Sequence, residues 1–438
     1  TPLLAAAKNG DLSITLYLAE KGASQSVSDI SGRNVLHMLA SVRNAGKIIQ
    51  AFKFDSSVIN KRDKSGMTPI YYAASLKRWE NVIPIAETGG DINFADTAGK
   101  TLLMAVIEGG NLETAGYIIK KGGSVKAADS TGRIPLHFAV MNKGKKWDEV
   151  ILLLIQQGSN VNAVDNSGSS AAGKAIESAN FSAFKILMGN GLNINYIEKG
   201  TTPLLLYAYR NSQKLIAGEL MKAGADISAK DSDGNSLLHV LAEKNDSQLY
   251  KSMLSYNLNL NLKNIKGQTP LFTAIEKGNF SFAQILMNEK EKMDPAVKDS
   301  SGMSAMHYLA SMKGGDKLLA SDTLASVSVT DKDAAGRTPL AIAVHSGLTA
   351  NAVYFLGRGA DAAGDDWNGV KLALVGYDRS KAMLNLLLDK GADPESTAPN
   401  GITLLHMGIE KKDAETVKLL VQKGVNINKQ YRNGSYPL

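Results

Sequence analysis

Short apolar runs alternate with polar, glycine-containing turns along the whole chain. In residues 134–164, an apolar tetrapeptide containing Pro135 follows the turn at Gly132, and the apolar run 150–154 ends shortly before Gly158. Proline suits the first turn of a helix because its missing N–H has no helical partner there. Glycine closes a helix because it readily takes the left-handed conformation. The pattern predicts pairs of short helices joined by tight turns, and Asn257 takes the place of the closing glycine in one repeat.

The helix-pair pattern returns with a nearly constant period. A glycine followed two residues later by an apolar tetrapeptide recurs 32 to 36 residues apart, from Gly32 to Gly434. Helix pairs this short cannot bury their apolar faces alone, so each pair must stack on its neighbours. We predict one continuous domain over residues 1–438, with about 13 repeats and the start of another at 436–438. Because neither end carries a polar capping repeat, we also predict that the domain is part of a longer repeat protein.

Two recurring motifs give the repeat a recognisable signature. The first is a Thr-Pro-Leu-His-like tetrapeptide, seen as TPIY (68–71), IPLH (134–137), TPLL (202–205), TPLF (269–272) and TLLH (403–406). The second closes the second helix and appears as GGDIN (89–93), GSNVN (158–162), GADIS (224–228) and GVNIN (424–428). With these motifs the chain resembles the ankyrin repeat family along essentially its whole length. The resemblance implies an all-α fold, an ankyrin-repeat α-solenoid with short β-hairpin finger turns.

Regularly spaced histidines and aspartates are the first candidates for chemistry. Five histidines share the fourth place of the tetrapeptide, one per repeat, which is too dispersed for a metal or acid–base cluster. The family resemblance implies that their rings bond to a neighbouring turn and hold repeats in register. An aspartate lies three residues before most turn glycines, and we expect its carboxylate to accept backbone N–H bonds rather than bind calcium. The histidines are His37, His137, His239, His307 and His406, and the aspartates are Asp29, Asp63, Asp96, Asp129, Asp165, Asp231, Asp299, Asp333 and Asp366.

Candidate partner contacts lie in the finger and first-helix slots, which the family resemblance assigns to binding. Trp367 falls at a finger tip where sister repeats carry Lys or Ser, and an exposed Trp is typical of a contact residue. Packing on an adjacent finger is the alternative for Trp367, and Trp79 and Trp147 are predicted to be core residues. The remaining candidates are Arg33, Met67, Arg133 and Arg337 in finger slots and Met141, Tyr209, Arg210 and Arg379 in first-helix slots. Residues 142–146 form a loop longer than its counterparts, and 313–330 depart from the repeat pattern and are irregular. Such stretches either mark docking sites or reflect tolerated drift of the surface.

Composition narrows the choice of partner and compartment. The net charge of +7 is spread along the chain without a long basic run, so a solvated surface is favoured over nucleic acid as its explanation. The absence of cysteine excludes disulfides and thiol chemistry, and favours a bacterial extracytoplasmic location over the cytoplasm. No apolar stretch approaches the roughly 20 residues that span a bilayer. No cofactor is predicted.

The predicted function is a non-enzymatic scaffold for protein–protein interaction. No nucleophile-elbow, zinc-protease or dinucleotide-binding motif occurs in the sequence, so nothing in it indicates catalysis. Partners are expected to be one or more proteins, bound by the fingers and the concave face of the first helices. The alternative is an ankyrin platform of a larger secreted toxin or bacterial effector whose activity lies outside this chain. Nucleic-acid binding through the lysine surplus is a third hypothesis.

Overall fold

The computed structural model describes residues 1–256 and 258–428. The predicted helix end at Asn257 and the predicted repeat start at 434–438 lie outside the described residues. The described chain separates into two compact units, Thr1–Asp226 and Ile227–Leu438. The single continuous domain expected from the sequence stays a prediction.

Helices dominate both units, as predicted, and they come in pairs. In the first unit the helices are α1 (Pro2–Asn9), α2 (Leu12–Glu20), α3 (Val35–Ser41), α4 (Gly46–Ala51), α5 (Ser56–Ile59), α6 (Pro69–Ser75), α7 (Trp79–Glu87), α8 (Leu102–Glu108), α9 (Leu112–Lys120), α10 (Pro135–Ala139), α11 (Lys145–Gln156), α12 (Ala171–Glu177), α13 (Phe181–Gly189), α14 (Leu204–Arg210) and α15 (Lys214–Lys222). A two-residue hairpin strand pair, β1 (Ile197–Glu198) and β2 (Thr202–Pro203), precedes α14.

The second unit continues the same order of elements. Its helices are α16 (Leu237–Lys244), α17 (Ser247–Ser252), α18 (Pro270–Glu276), α19 (Phe280–Asn288), α20 (Ala305–Ala310), α21 (Asp316–Leu319), a 3₁₀ turn (Asp322–Leu324), α22 (Pro339–His345), α23 (Thr349–Gly357), α24 (Leu372–Arg379), α25 (Lys381–Asp389), α26 (Leu404–Glu410) and α27 (Ala414–Gln422). The predicted irregular stretch 313–330 is confirmed, because α21 and the 3₁₀ turn are the only regular elements within it. The predicted loop 142–146 is shorter than expected, because α11 already begins at Lys145.

The two helices of a pair have different roles in the core. The first helix, such as α8, buries nearly every apolar side chain, whereas the second, such as α9, buries one face. First helices pack on first helices of successive repeats, as α3, α6 and α8 do in the first unit and α18, α20 and α22 do in the second. Second helices likewise pack on the second helices of successive repeats, as α7, α9 and α11 do. Each unit is therefore a stack of helix pairs.

Asparagine side chains join the second helix of one repeat to the first helix of the repeat before it. The Nδ2 group of Asn180, 4 % exposed, donates to the backbone oxygens of Val140 at 2.9 Å and Asn142 at 2.7 Å. Those oxygens lie at the end of α10, where helical carbonyls have no partner within the helix. Asn81, Asn279 and Asn351 make the equivalent bonds in their repeats. The amide group thus satisfies buried polar atoms at the repeat boundary.

One of the repeats without a histidine fills the histidine position with a carboxylate. Gly173 of α12 stands where five other repeats carry histidine, and a β-carbon built on it would lie 2.4 Å from Oε2 of Glu198. The fully buried Glu198 carboxylate accepts a hydrogen bond from the backbone N–H of Ser170 at 3.1 Å and a second from the Ser170 hydroxyl. In sister repeats the equivalent backbone N–H bonds to the histidine ring. A carboxylate from the next finger therefore occupies the space that the missing imidazole leaves.

Candidate functional site

The finger turns owe their shape to the aspartates that the sequence singled out. In each of the nine turns, one carboxylate oxygen accepts the backbone N–H groups two and four residues further on. In the Asp63 turn these bonds run from Ser65 and Met67, both at 2.9 Å. The same pair of bonds forms at the other positions. The predicted structural role of the aspartates is confirmed.

The histidines are buried and connect successive repeats. The backbone N–H of Ser236 donates to Nδ1 of His239 at 3.2 Å, which leaves Nε2 to donate to the backbone oxygen of Gln268 at 2.9 Å. His307 makes the corresponding bond to Arg337 at 3.1 Å, and His37 to Met67 at 3.0 Å. The predicted structural role is confirmed for these three rings. Within residues 1–256 and 258–428, no group of three or more His, Asp or Glu side chains is placed to hold a metal ion.

Burial sets the protonation of the histidines. It lowers the pKa of His37, His137, His239 and His307, because the charged imidazolium loses its hydration. The backbone oxygens that accept from Nε2 of His37, His239 and His307 counteract this in part. These side chains are therefore neutral and act as hydrogen-bonding groups near pH 7. Their buried surroundings do not favour the acid–base chemistry of an active site.

Three of the predicted finger contacts hold their own turn together. Arg133 reaches back to Asp129, with Nη2 at 3.0 Å from the carboxylate, and lies over the Phe138 ring at 4.6 Å. Arg33 and Arg337 make the same ion pair with Asp29 and Asp333. Burial opposes ionisation of these aspartates, but hydrogen bonds from the turn amides and the arginines outweigh it and keep the pKa of each below its ordinary value. A partner role for the arginines stays a prediction. A partner would contact only the part of each guanidinium group that faces away from its aspartate.

The first-helix candidates separate by exposure. Tyr209 is 2 % exposed and belongs to the core of the first unit, so its assignment as a contact residue is wrong. Tyr209 lies one position before Arg210, and neighbouring side chains on a helix point in different directions, so Tyr209 faces the core. Met141 is 53 % exposed but lies in the turn after α10, which ends at Ala139, so its first-helix slot is wrong by two positions; Arg210 and Arg379 are exposed as well. Met67, in a finger, is half-buried.

Trp367 is half-buried rather than free in solvent. Its ring lies against His345 of the preceding repeat, with 4.2 Å between centroids, and Nε2 of His345 is 2.8 Å from Oδ2 of Asp366. The indole therefore packs on the end of α22, which belongs to the preceding repeat, and not on an adjacent finger. Trp147 is buried, as predicted, and Trp79 is half-buried with its ring over Gly109.

A groove in the second unit brings several of these features together. The cavity has a volume of about 510 Å³ and lies between two fingers and the first helices α24 and α26. His345, Asp366 and Arg379 line one side, and Ile402, Met407 and Lys411 line the other. Arg379 was predicted from its slot, whereas the other side of the groove was missed.

Comparison with known proteins agrees with the repeat architecture. The family model for ankyrin repeats in three copies matches residues 3–96, 81–165, 143–231, 204–299 and 238–321, and the single ankyrin repeat model matches 400–432. Among curated proteins, human transient receptor potential cation channel subfamily A member 1 is 21 % identical over 394 residues, which is 83 % of this chain and 34 % of that protein. Human SH3 and multiple ankyrin repeat domains protein 2 is 27 % identical over 229 residues, covering 52 % of this chain and 10 % of the relative.

A bacterial relative is also found. Phosphocholine transferase AnkX of Legionella pneumophila is 27 % identical over 210 residues, covering 44 % of this chain and 22 % of that protein. The chain thus spans about a third or less of the length of these relatives. They come mostly from eukaryotes, and a bacterial source for this chain stays a prediction. Matched by these models over most of its length, the chain belongs to the ankyrin repeat family.

Proposed function

We propose that this chain is a non-enzymatic scaffold that binds partner proteins through its finger turns and the exposed face of its first helices. Ankyrin repeats are in general protein–protein interaction modules. The observation that carries the proposal is the contrast between buried and exposed neighbours at the C-terminal ends of the first helices α10 and α24. Met141 is 53 % exposed although Val140 beside it is fully buried, and Arg379 is exposed although Tyr377 is buried. Apolar and guanidinium groups held outward on a rigid element are typical of recognition surfaces.

Affinity capture with matched variants tests this proposal. Met141→Glu places a charge in the turn directly after the first helix α10, and Val353→Glu places one at similar exposure, 49 %, on the second helix α23. We expect the captured proteins, identified by mass spectrometry, to be reduced by Met141→Glu and unchanged by Val353→Glu. Equal capture by both variants and the native chain would refute a role for this part of the first-helix face. Circular dichroism shows whether both variants keep the native helix content.

A larger protein that uses these repeats as a platform is the second candidate. Its support is that the curated relatives extend well beyond the segment that matches this chain, and that one of them is a phosphocholine transferase. The sequence of the whole gene tests it, since only this candidate requires a catalytic or membrane-inserting segment outside residues 1–438. Within the part of the chain that the structure describes, no helix is long and apolar enough to cross a bilayer.

Nucleic acid is not the partner that we propose. Several lysines of the second unit already hold neighbouring repeats, since Nζ of Lys230 donates to the backbone oxygen of Lys263 at 2.7 Å, and Nζ of Lys263 to that of Lys298 at 2.9 Å. Lys298 pairs with Asp331 at 2.6 Å. Early elution from heparin at low salt is expected, because only a row of free cations gives strong, salt-dependent retention. Retention to high salt would favour nucleic acid instead.

A further inference from the structure

A groove lies between the second helices α9 and α11 of the first unit, away from the fingers and first helices discussed above. Its volume is about 590 Å³. Leu112, Val150 and Leu153, which are buried or half-buried, give it apolar walls. Gly116 leaves it open, because a β-carbon built there would meet nothing within 4 Å. The groove is therefore an apolar depression with unfilled space at its middle.

An exposed leucine lies directly across the groove from this space. Each of the two packed helices is followed by a glycine with positive φ, Gly122 after α9 and Gly158 after α11. Gly116 and Leu152 are each six residues before their glycine, so they occupy equivalent positions on neighbouring helices. Leu152 is 37 % exposed although its side chain is large and apolar. One side of the groove thus offers a protruding side chain and the other offers room for one.

The charged side chains of the groove have no counter-charges of their own. Glu113 and Glu149 occupy equivalent positions near its N-terminal end, with Lys146 one turn before Glu149. Lys120 lies about 10 Å further along α9 than Glu113, beside its equivalent Gln156 on α11. The four charged groups are exposed, and none of them forms an ion pair or hydrogen bond within the part of the chain that the structure describes.

A two-fold axis through the middle of the groove makes these features complementary to one another. It places α11 of a second copy antiparallel over α9, so that Leu152 of the second copy covers Gly116. Glu149 of the second copy then reaches the level of Lys120, and Lys146 of the second copy reaches the C-terminal end of α9, where backbone carbonyls carry partial negative charge. Each contact occurs twice, because such an interface uses the same surface on both copies.

The flanking second helices extend this complementarity. The same axis places α7 of one copy over α13 of the other. Exposed Glu80 and Glu87 make α7 acidic, whereas exposed Lys185 makes α13 basic. Each helix covers about 14 by 10 Å, so the four helices bury about 1,100 Å² over both copies. This area lies at the low end for specific interfaces and indicates a weak dimer.

We propose that the second helices α7, α9, α11 and α13 form a surface on which a second copy of this chain docks about a two-fold axis. Two contacts between Leu152 and Gly116 form its centre, and two ion pairs between Glu149 and Lys120 flank them. A second copy is favoured over another protein because this one surface supplies both members of each contact. The dimer uses neither fingers nor first helices, so it goes beyond the scaffold function and leaves two recognition surfaces in one assembly.

Sedimentation velocity of the 438-residue chain tests the inference. The concentrations run from about 5 to 500 µM, because an interface of this size gives a dissociation constant on the order of 100 µM. We expect the native chain to dimerise in this range and Leu152→Glu to remain monomeric. Val353→Glu is the matched control, since Val353 is likewise six residues before a glycine that follows its helix, and it should dimerise as the native chain does.

Charge reversal shows whether the two copies meet in the proposed register. Lys120→Glu and Glu149→Lys each place like charges opposite one another in both ion pairs, so each variant alone should dimerise about tenfold more weakly. An equimolar mixture of the two variants restores both pairs and should dimerise like the native chain, which a folding defect could not do.

Three results would overturn the inference. They are a native chain that is monomeric at every concentration, a dimer that persists in Leu152→Glu, and a mixture of the charge variants that associates no more tightly than its components. None of them bears on partner capture, which tests a different surface.

Discussion

Exchanging Glu198 and the missing histidine tests how the repeats are held together. The four chains to compare are the native one, Gly173→His, Glu198→Ala and the double variant. Glu198→Ala removes the acceptor of the buried Ser170 N–H, which costs about 1–3 kcal/mol. Gly173→His alone forces a ring into the space of the carboxylate, and overpacking of this kind costs about 1–3 kcal/mol.

The double variant should recover most of both losses. With the carboxylate gone, the imidazole can take the position that His239 and His307 have in their repeats, and its Nδ1 can accept the Ser170 N–H. We therefore expect a coupling free energy of about 1–3 kcal/mol in favour of the double variant.

The pH dependence gives an independent readout. Burial raises the pKa of Glu198, against the hydrogen bonds from Ser170, and the charge of Glu177 adds to the increase. A raised carboxyl contributes stability that is full below its unfolded pKa of 4.5 and is lost as pH rises through the folded pKa. A buried histidine acts in the opposite direction and loses its contribution as pH falls below 6.5. The double variant should therefore gain stability over the native chain as pH rises.

Hydrogen exchange followed by mass spectrometry measures the effect where it arises. Peptides spanning residues 165–210 report the free energy of local opening around Ser170 under native conditions. Peptides from the second unit serve as the internal control and should exchange equally in all four chains. Additive losses in the double variant, with no coupling, would refute the idea that Glu198 occupies the place of the ring.

Three further predictions concern the repeat contacts. Acidification below pH 6.5 should lower the free energy of unfolding, because the four buried histidines with a lowered pKa must then bind a proton on unfolding; each contributes at most about 1.4 kcal/mol per pH unit. Urea unfolding at pH 7.0, 6.0 and 5.5 measures this, and a flat profile would contradict their burial. Asn180→Ala should cost about 2 kcal/mol because two backbone oxygens lose a buried donor, whereas exposed Asn190→Ala should stay within about 0.5 kcal/mol by the same assay. Gly132→Ala should lower the thermal midpoint more than Gly336→Ala. Both have a φ near +80°, but a β-carbon at Gly132 would lie 2.4 Å from Oδ1 of Asn166, whereas one at Gly336 would meet nothing within 4 Å; equal losses would mean that finger contact adds nothing.

The sequence predicted those features that repeat and missed those that occur once. The aspartates and the histidines recur in the same slots, so spacing identified both sets, and the family resemblance supplied the role of the histidines. Asn180 and Asn279 also share a slot, 12 residues after Gly168 and Gly267, and this signal was available but not used. Glu198 was missed because its role depends on Ser170 and Gly173 of the repeat before it, where the histidine side chain is absent.

The exposure of individual side chains in a first helix was harder to predict than the helix itself. Tyr209 and Arg210 are adjacent, and the slot assignment treated them alike, yet one is buried and the other exposed. An error of one position changes the direction of a helical side chain by about 100°. Trp367 was placed correctly at a finger, but its packing on His345 depends on a side chain 22 positions earlier. Tertiary contact, rather than local pattern, decides such cases.

Main-chain oxygens accept the bonds from Asn180 and from the paired histidines, and this has an evolutionary consequence. A carbonyl is present whatever amino acid the neighbouring repeat carries there, so these contacts do not depend on which side chain is found at that position. Substitutions on the outward positions of one repeat therefore need no compensating change in the next. Selection can alter the recognition surface one residue at a time while the joints between repeats remain intact.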